Sequence, residues 1–76
     1  MLLINGGFMK IDLSLASKVK DFVNISQSKT CEVILRSGRW VVDGKSILGV
    51  FSLDLSQPIT LECDDLNGFE KFAVNE

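Results

Sequence analysis

Cys31-Glu-Val-Ile-Leu-Arg36 and Arg39-Trp-Val-Val-Asp43, joined by Ser37-Gly38, decide how this chain is read. Both runs are short and rich in β-branched and aromatic residues, and two connecting residues that include glycine mark a β-hairpin. Alternation puts Val33, Leu35, Trp40 and Val42 on one face and Ile34 and Val41 on the other. The first set is expected to face the core, with Trp40 in core or hairpin packing.

Upstream, Lys10-Ile-Asp-Leu-Ser-Leu15 alternates strictly, which predicts a half-buried strand with Ile11, Leu13 and Leu15 inward. Ala16, Val19, Phe22, Val23 and Ser26 then recur at helical spacing, opposite Lys18, Lys20, Asp21 and Asn24. That pattern predicts an amphipathic helix with Ser14 or its neighbour as N-cap. Downstream, Gly44 breaks the hairpin's second strand, and Ser46-Ile-Leu-Gly-Val-Phe-Ser-Leu53 reads as a short apolar helix. Pro58 opens a further alternating strand, Ile59-Thr-Leu-Glu-Cys63. Asp64 or Asp65 is then expected to cap a last short helix with Leu66, Phe69, Phe72 and Ala73 on one face. The order is β-α-β-β-α-β-α. Strands that alternate in face belong to an antiparallel sheet with one solvated side, whereas a parallel sheet would show continuous apolar runs. The expected fold class is α+β: an open-faced two-layer sandwich, four-stranded and antiparallel, with three helices on one face.

Composition narrows the function. The chain has 76 residues, 46% of them hydrophobic and 24% charged, with a net charge of −2 and no histidine. This is one small globular domain, and it lacks the basic excess of a nucleic-acid binder. The missing imidazole removes His-based triads, His metal sites and phosphohistidine chemistry, so the chain is expected to be no enzyme and to carry no metal or cofactor. Cys31 and Cys63 are too few for a zinc site. They read as small buried hydrophobes, with a free thiol or a disulfide as the alternatives. No signal peptide or membrane-spanning run is legible, which points to the cytoplasm.

Met1–Phe8 departs from the pattern. Adjacent glycine codons at Gly6-Gly7 can spell a ribosome-binding sequence ahead of Met9. The segment 1–8 is therefore read as a translated leader or flexible terminus, and 9–76 as the domain.

At Val42-Asp-Gly-Lys-Ser-Ile-Leu-Gly-Val-Phe-Ser-Leu53 the chain resembles the HPr family of the bacterial sugar phosphotransferase system. Those proteins carry a stretch like [VN]-x-[AG]-K-S-I-[ML]-G-[VI]-[MF]-[ST]-L at the start of their second helix. The resemblance covers roughly Met9 to Phe72, and it implies the same β-α-β-β-α-β-α sandwich. Family members carry an active-site histidine in G-[LI]-H-A-R-P; an ungapped walk back from Ser46 places Leu15, Ala16, Ser17 and Lys18 on H-A-R-P. Only the alanine is kept. A phosphocarrier needs an imidazole nitrogen at a helix N-terminus with donors around the phosphoryl group, and Leu15 has neither nucleophile nor charge.

What survives is the serine. In HPr proteins of many Gram-positive bacteria the serine matching Ser46 is phosphorylated by HPr kinase/phosphorylase, and the product assists a carbon-catabolite transcription regulator. A histidine-lacking relative, catabolite-repression HPr, has only that role. The resemblance therefore implies Ser46 as a regulatory phosphorylation site, with Lys45, Ile47, Leu48 and Phe51 binding a protein partner. Against this stand the plain readings of Ser46 as a helix cap and of Ile47, Leu48 and Phe51 as core with Val50 outside. Arg36, Arg39 and Lys45, the only basic cluster, read as solvated hairpin charges, with an anion site as the alternative. Ile34 and Val41, on the open sheet face, leave room for a homodimer. Two other functions stay open: a residual phosphotransfer component using Ser14, Ser17 or Asp12 as acceptor, and a plain interaction or oligomerisation domain. Neither membrane insertion nor direct nucleic-acid binding is expected.

Overall fold

The computed structural model describes residues 6–74. Its elements are β1 (Gly7–Ile11), α1 (Ala16–Gln27), β2 (Val33–Ser37), β3 (Trp40–Asp43), α2 (Ile47–Phe51) and β4 (Ile59–Cys63). A single 3-10 turn, Glu70–Phe72, follows. The four strands form one antiparallel sheet in the order β1-β4-β2-β3. The fold is α+β, compatible with an open-faced sandwich, but the described residues form two α-helices where three were expected. Phe69 and Phe72 are buried as the periodicity requires, yet Ala73 instead bridges to Ile11 at the edge of β1. The Val74 N–H donates to the Lys10 carbonyl at 2.9 Å, and that strand-like pairing ends the helix after one turn.

Register explains the layers. Met9, Leu61, Leu35 and Val42 form one inward row, and Gly7, Cys63 and Val33 another. Phe8, Glu62, Ile34 and Asp43 form an outward row in the same registers. Helix α1 covers the inner face with Val19, Phe22, Val23 and Ser26, all buried. The Ser26 hydroxyl is satisfied by donating to the Phe22 carbonyl at 2.8 Å. Phe22 packs 5.0 Å from Phe69 and 5.6 Å from Phe72, centroid to centroid, so the C-terminal turn closes the core over α1.

Several local expectations shift. Strand β1 begins at Gly7 and ends at Ile11, so Gly7 and Phe8 pair with Cys63 and Glu62 ahead of the boundary read at Met9. The remainder of the leader reading, Met1–Asn5, lies outside the described residues. After Ile11 the Asp12 N–H turns to the Phe72 carbonyl, and Asp12 Oδ1 accepts the Ser14 N–H at 2.9 Å. That turn removes Leu15 from the sheet: it is the N-cap residue of α1, 57% exposed and without a side-chain cap. The hairpin loop is Gly38-Arg39 instead of Ser37-Gly38, since Ser37 pairs with Trp40. Gly38 at φ +59° in the first loop position is the arrangement of a type II′ turn. Trp40 shares the inward parity of Leu35 and Val42, but at the hairpin tip it lies beyond the cover of the helices and is 70% exposed. Asp64 and Asp65 do not cap a helix; the 3-10 turn starts from Phe69 with no side-chain cap. Asp65 instead accepts the Asn67 N–H and pairs with Lys29 at 3.2 Å.

Two outcomes follow from this packing. Phe22→Ala is expected to lower the unfolding free energy by ~3–5 kcal/mol in denaturant titration, while the outward-facing Phe8→Ala shifts it by under ~0.5 kcal/mol. Asp12, Asp54 and Asp65 all titrate below the ordinary carboxylate value, held down chiefly by hydrogen bonds from Ser14, Ser56 and Asn67 respectively. A depressed folded pKa stabilises fully above the unfolded value, ~4, and that stabilisation is lost as pH falls through the folded values. Melting temperature is therefore expected to fall on acidification below pH ~4, and Asp65→Asn should flatten that fall.

Candidate functional site

The site singled out from sequence, residues 45–51, lies where β3 leaves the sheet. The chain can turn there because residue 44 has no side chain: a Cβ on Gly44 would lie 2.6 Å from Val33 Cγ1 and 3.2 Å from Phe22 Cε2. The Gly44 N–H donates to the Val33 carbonyl at 2.7 Å, and Asp43 Oδ1 accepts the Lys45 N–H at 2.8 Å. These bonds deliver Ser46 to the N-cap of α2, where its Oγ accepts the Gly49 N–H at 3.1 Å. Ser46 is thus an exposed residue whose hydroxyl caps the helix.

Helix α2 is too short to bury more than one stripe. Val50 points inward and Leu53, just beyond the helix, is buried with it. Ile47, Leu48 and Phe51 are 39%, 81% and 45% exposed. The core reading of this trio, with Val50 outside, is therefore reversed in the structure. The solvated side of α2 is an apolar ridge that begins beside Ser46.

Lys45 is less free than a surface lysine. Its ammonium donates to the Lys29 carbonyl at 2.9 Å, and its own carbonyl accepts from Gln27 Nε2 at 3.1 Å. It braces the segment before α2 against the end of α1. Gln27 and Lys29 are the residues that sequence reasoning missed. Their bonds to Lys45 span 18 and 16 residues, a separation with no signature in either local pattern.

Leu15, Ala16 and Ser17 are exposed at the start of α1, and Lys18 Nζ lies 3.6 Å from Asp12 Oδ2. Asp12 is occupied by Ser14 and Lys18. Arg36 pairs with Glu62 at 3.1 Å on the outer face and is not gathered with Lys45. Among the described residues no group of three or more His, Cys, Asp or Glu side chains is placed to hold a metal ion, and no helix is long and apolar enough to cross a membrane.

No family model, curated protein or solved structure matches the chain.

The capping bond can be separated from other roles of Ser46. Ser46→Ala should lower stability by ~1 kcal/mol through loss of the Gly49 cap, whereas Ser46→Asp, which caps equally well, should retain it within ~0.5 kcal/mol. Chemical denaturation of the two variants side by side checks this.

Proposed function

We propose that this chain is a non-catalytic, HPr-like regulatory module that binds a protein partner through Ser46 and the apolar ridge of α2. The observation that carries the reading is the exposure of Ile47, Leu48 and Phe51 beside an exposed serine residue. Water-facing apolar side chains at adjacent helical positions are suited to anchor a small interface, where a few such residues supply most of the affinity. A phosphate on Ser46 would place about −1.5 to −2 charges at the edge of that ridge, so one modification changes both charge and shape where a partner docks. The element order β-α-β-β-α-β, with an open sheet face, supports the likeness to HPr, as does the Val42–Leu53 stretch.

On this reading the phosphocarrier step has been lost. Leu15 offers no nucleophile, Ser17 stands where an arginine would steady a phosphoryl group, and Asp12 is held by Ser14 and Lys18. The partners are an HPr kinase/phosphorylase acting on Ser46 and a regulator of carbon use, in the cytoplasm of a bacterium.

Incubation with HPr kinase/phosphorylase and ATP should add one acid-stable phosphate by intact mass, and Ser46→Ala should abolish it. Phosphoenolpyruvate with Enzyme I should add none; an acid-labile phosphate in that arm would establish the phosphotransfer alternative instead. Leu48→Asp should weaken capture by the regulator by ~2 kcal/mol or more, roughly thirtyfold, while the melting temperature stays within ~3 °C.

A further inference from the structure

Cys31 and Cys63 lie 32 positions apart in sequence, yet their sulfurs are 3.5 Å apart. The sheet brings them together. Val33 pairs with Cys63 across β2 and β4, and Cys31 lies two residues before Val33 on the incoming loop. Neither sulfur is bonded to another; both are free thiols. A disulfide needs about 2.05 Å between sulfurs, so about 1.5 Å of approach closes the gap. Cys31 belongs to no helix or strand, which leaves its backbone free to supply that movement.

We propose that Cys31 and Cys63 form a reversible, intramolecular disulfide on exposure to hydrogen peroxide, clamping the loop before β2 to the end of β4. The two thiols are unequal, and the inequality orders the steps. Both line a surface groove of about 440 Å³ with Thr30, Glu32 and Asp64, but Cys63 is only 3% exposed whereas Cys31 is half-buried. Burial pushes the Cys63 thiol up, opposed by the Asp65 N–H and the Lys29 charge. The oxidant therefore meets Cys31 first. The Cys31 sulfur attacks one peroxide oxygen, the O–O bond breaks, one water leaves and a sulfenic acid remains. Cys63 Sγ then displaces hydroxyl from Cys31 Sγ; the S–S bond forms, and the Cys63 proton leaves with the hydroxyl as a second water. Two thiols are oxidised by two electrons, and one peroxide is reduced to two waters.

The clamp would act on the loop that steadies the α2 site. Lys29, two residues before Cys31, gives its carbonyl to the Lys45 ammonium and its own ammonium to Asp65 and to the Asn67 carbonyl. Fixing Cys31 to β4 removes freedom from that loop and from the unfolded chain together.

The test uses the full chain, hydrogen peroxide and intact mass under non-reducing conditions. The expected product is a monomer lighter by two hydrogens that resists thiol alkylation and returns to the starting mass with dithiothreitol. Its melting temperature should rise by on the order of 10 °C, and Cys31→Ser should show no such rise. A product that gains oxygen without losing hydrogens overturns the proposal. So does a disulfide between two chains, or a rise that persists in Cys31→Ser.

Discussion

Phe22 is where three otherwise separate parts of the chain meet. It projects from α1, packs against Phe69 and Phe72 of the C-terminal turn, and fills the space that a side chain at position 44, in the β3–α2 turn, would need. The sheet has one solvated face, so all the apolar surface the chain buries must be collected on the other. A domain of this size buries only about 60% of its unfolded surface, and the loss of one such meeting point would leave little in reserve. The Phe22 ring also dictates a neighbour's identity: at position 44 only a residue without Cβ fits between it and Val33.

The α2 ridge follows from that constraint. The turn at Gly44 brings Ser46 out of the sheet, and Ser46 caps a helix of five residues. Such a helix offers one stripe to the core, which Val50 occupies. Geometry alone therefore exposes the other side. That this side carries Ile47, Leu48 and Phe51, with Leu48 81% exposed, is the chemical fact a functional reading must explain. The surrounding bonds hold the ridge in place: Gln27 and Lys29 brace Lys45, while Asp43 closes the turn below it.

The same loop gathers the other unusual groups. Lys29 lies over the Phe69 ring at 5.2 Å while pairing with Asp65, so its charge is offset as its stem packs inward. Cys31 follows two residues later and reaches Cys63. One short connection between α1 and β2 thus ties together the C-terminal turn, the end of β4 and the segment leading into α2.

What the sequence determined by itself was whatever depends on period and local chemistry. The alternation of Ile59–Cys63, the helical spacing of Val19, Phe22, Val23 and Ser26, the hairpin glycine and the Ser46 cap are all decided within a few residues, and they are legible for that reason. That one side of α2 must face water was legible too, because a short helix has too few residues to bury two sides; which side it is came only from the resemblance to HPr and was decided by the structure. The tertiary structure alone decided which elements cover which. Trp40 has the parity of a core residue but sits past the end of the helical layer. Leu15 continues an alternation that the Asp12 turn interrupts, and Ala73 ends a helix because the edge of β1 offers it a partner. Lys45 finds the Lys29 carbonyl and Cys31 finds Cys63 only once the order β1-β4-β2-β3 has brought distant segments side by side. Periodicity records which face of an element is apolar; strand order and coverage, set by contacts between residues far apart in the chain, choose what that face meets.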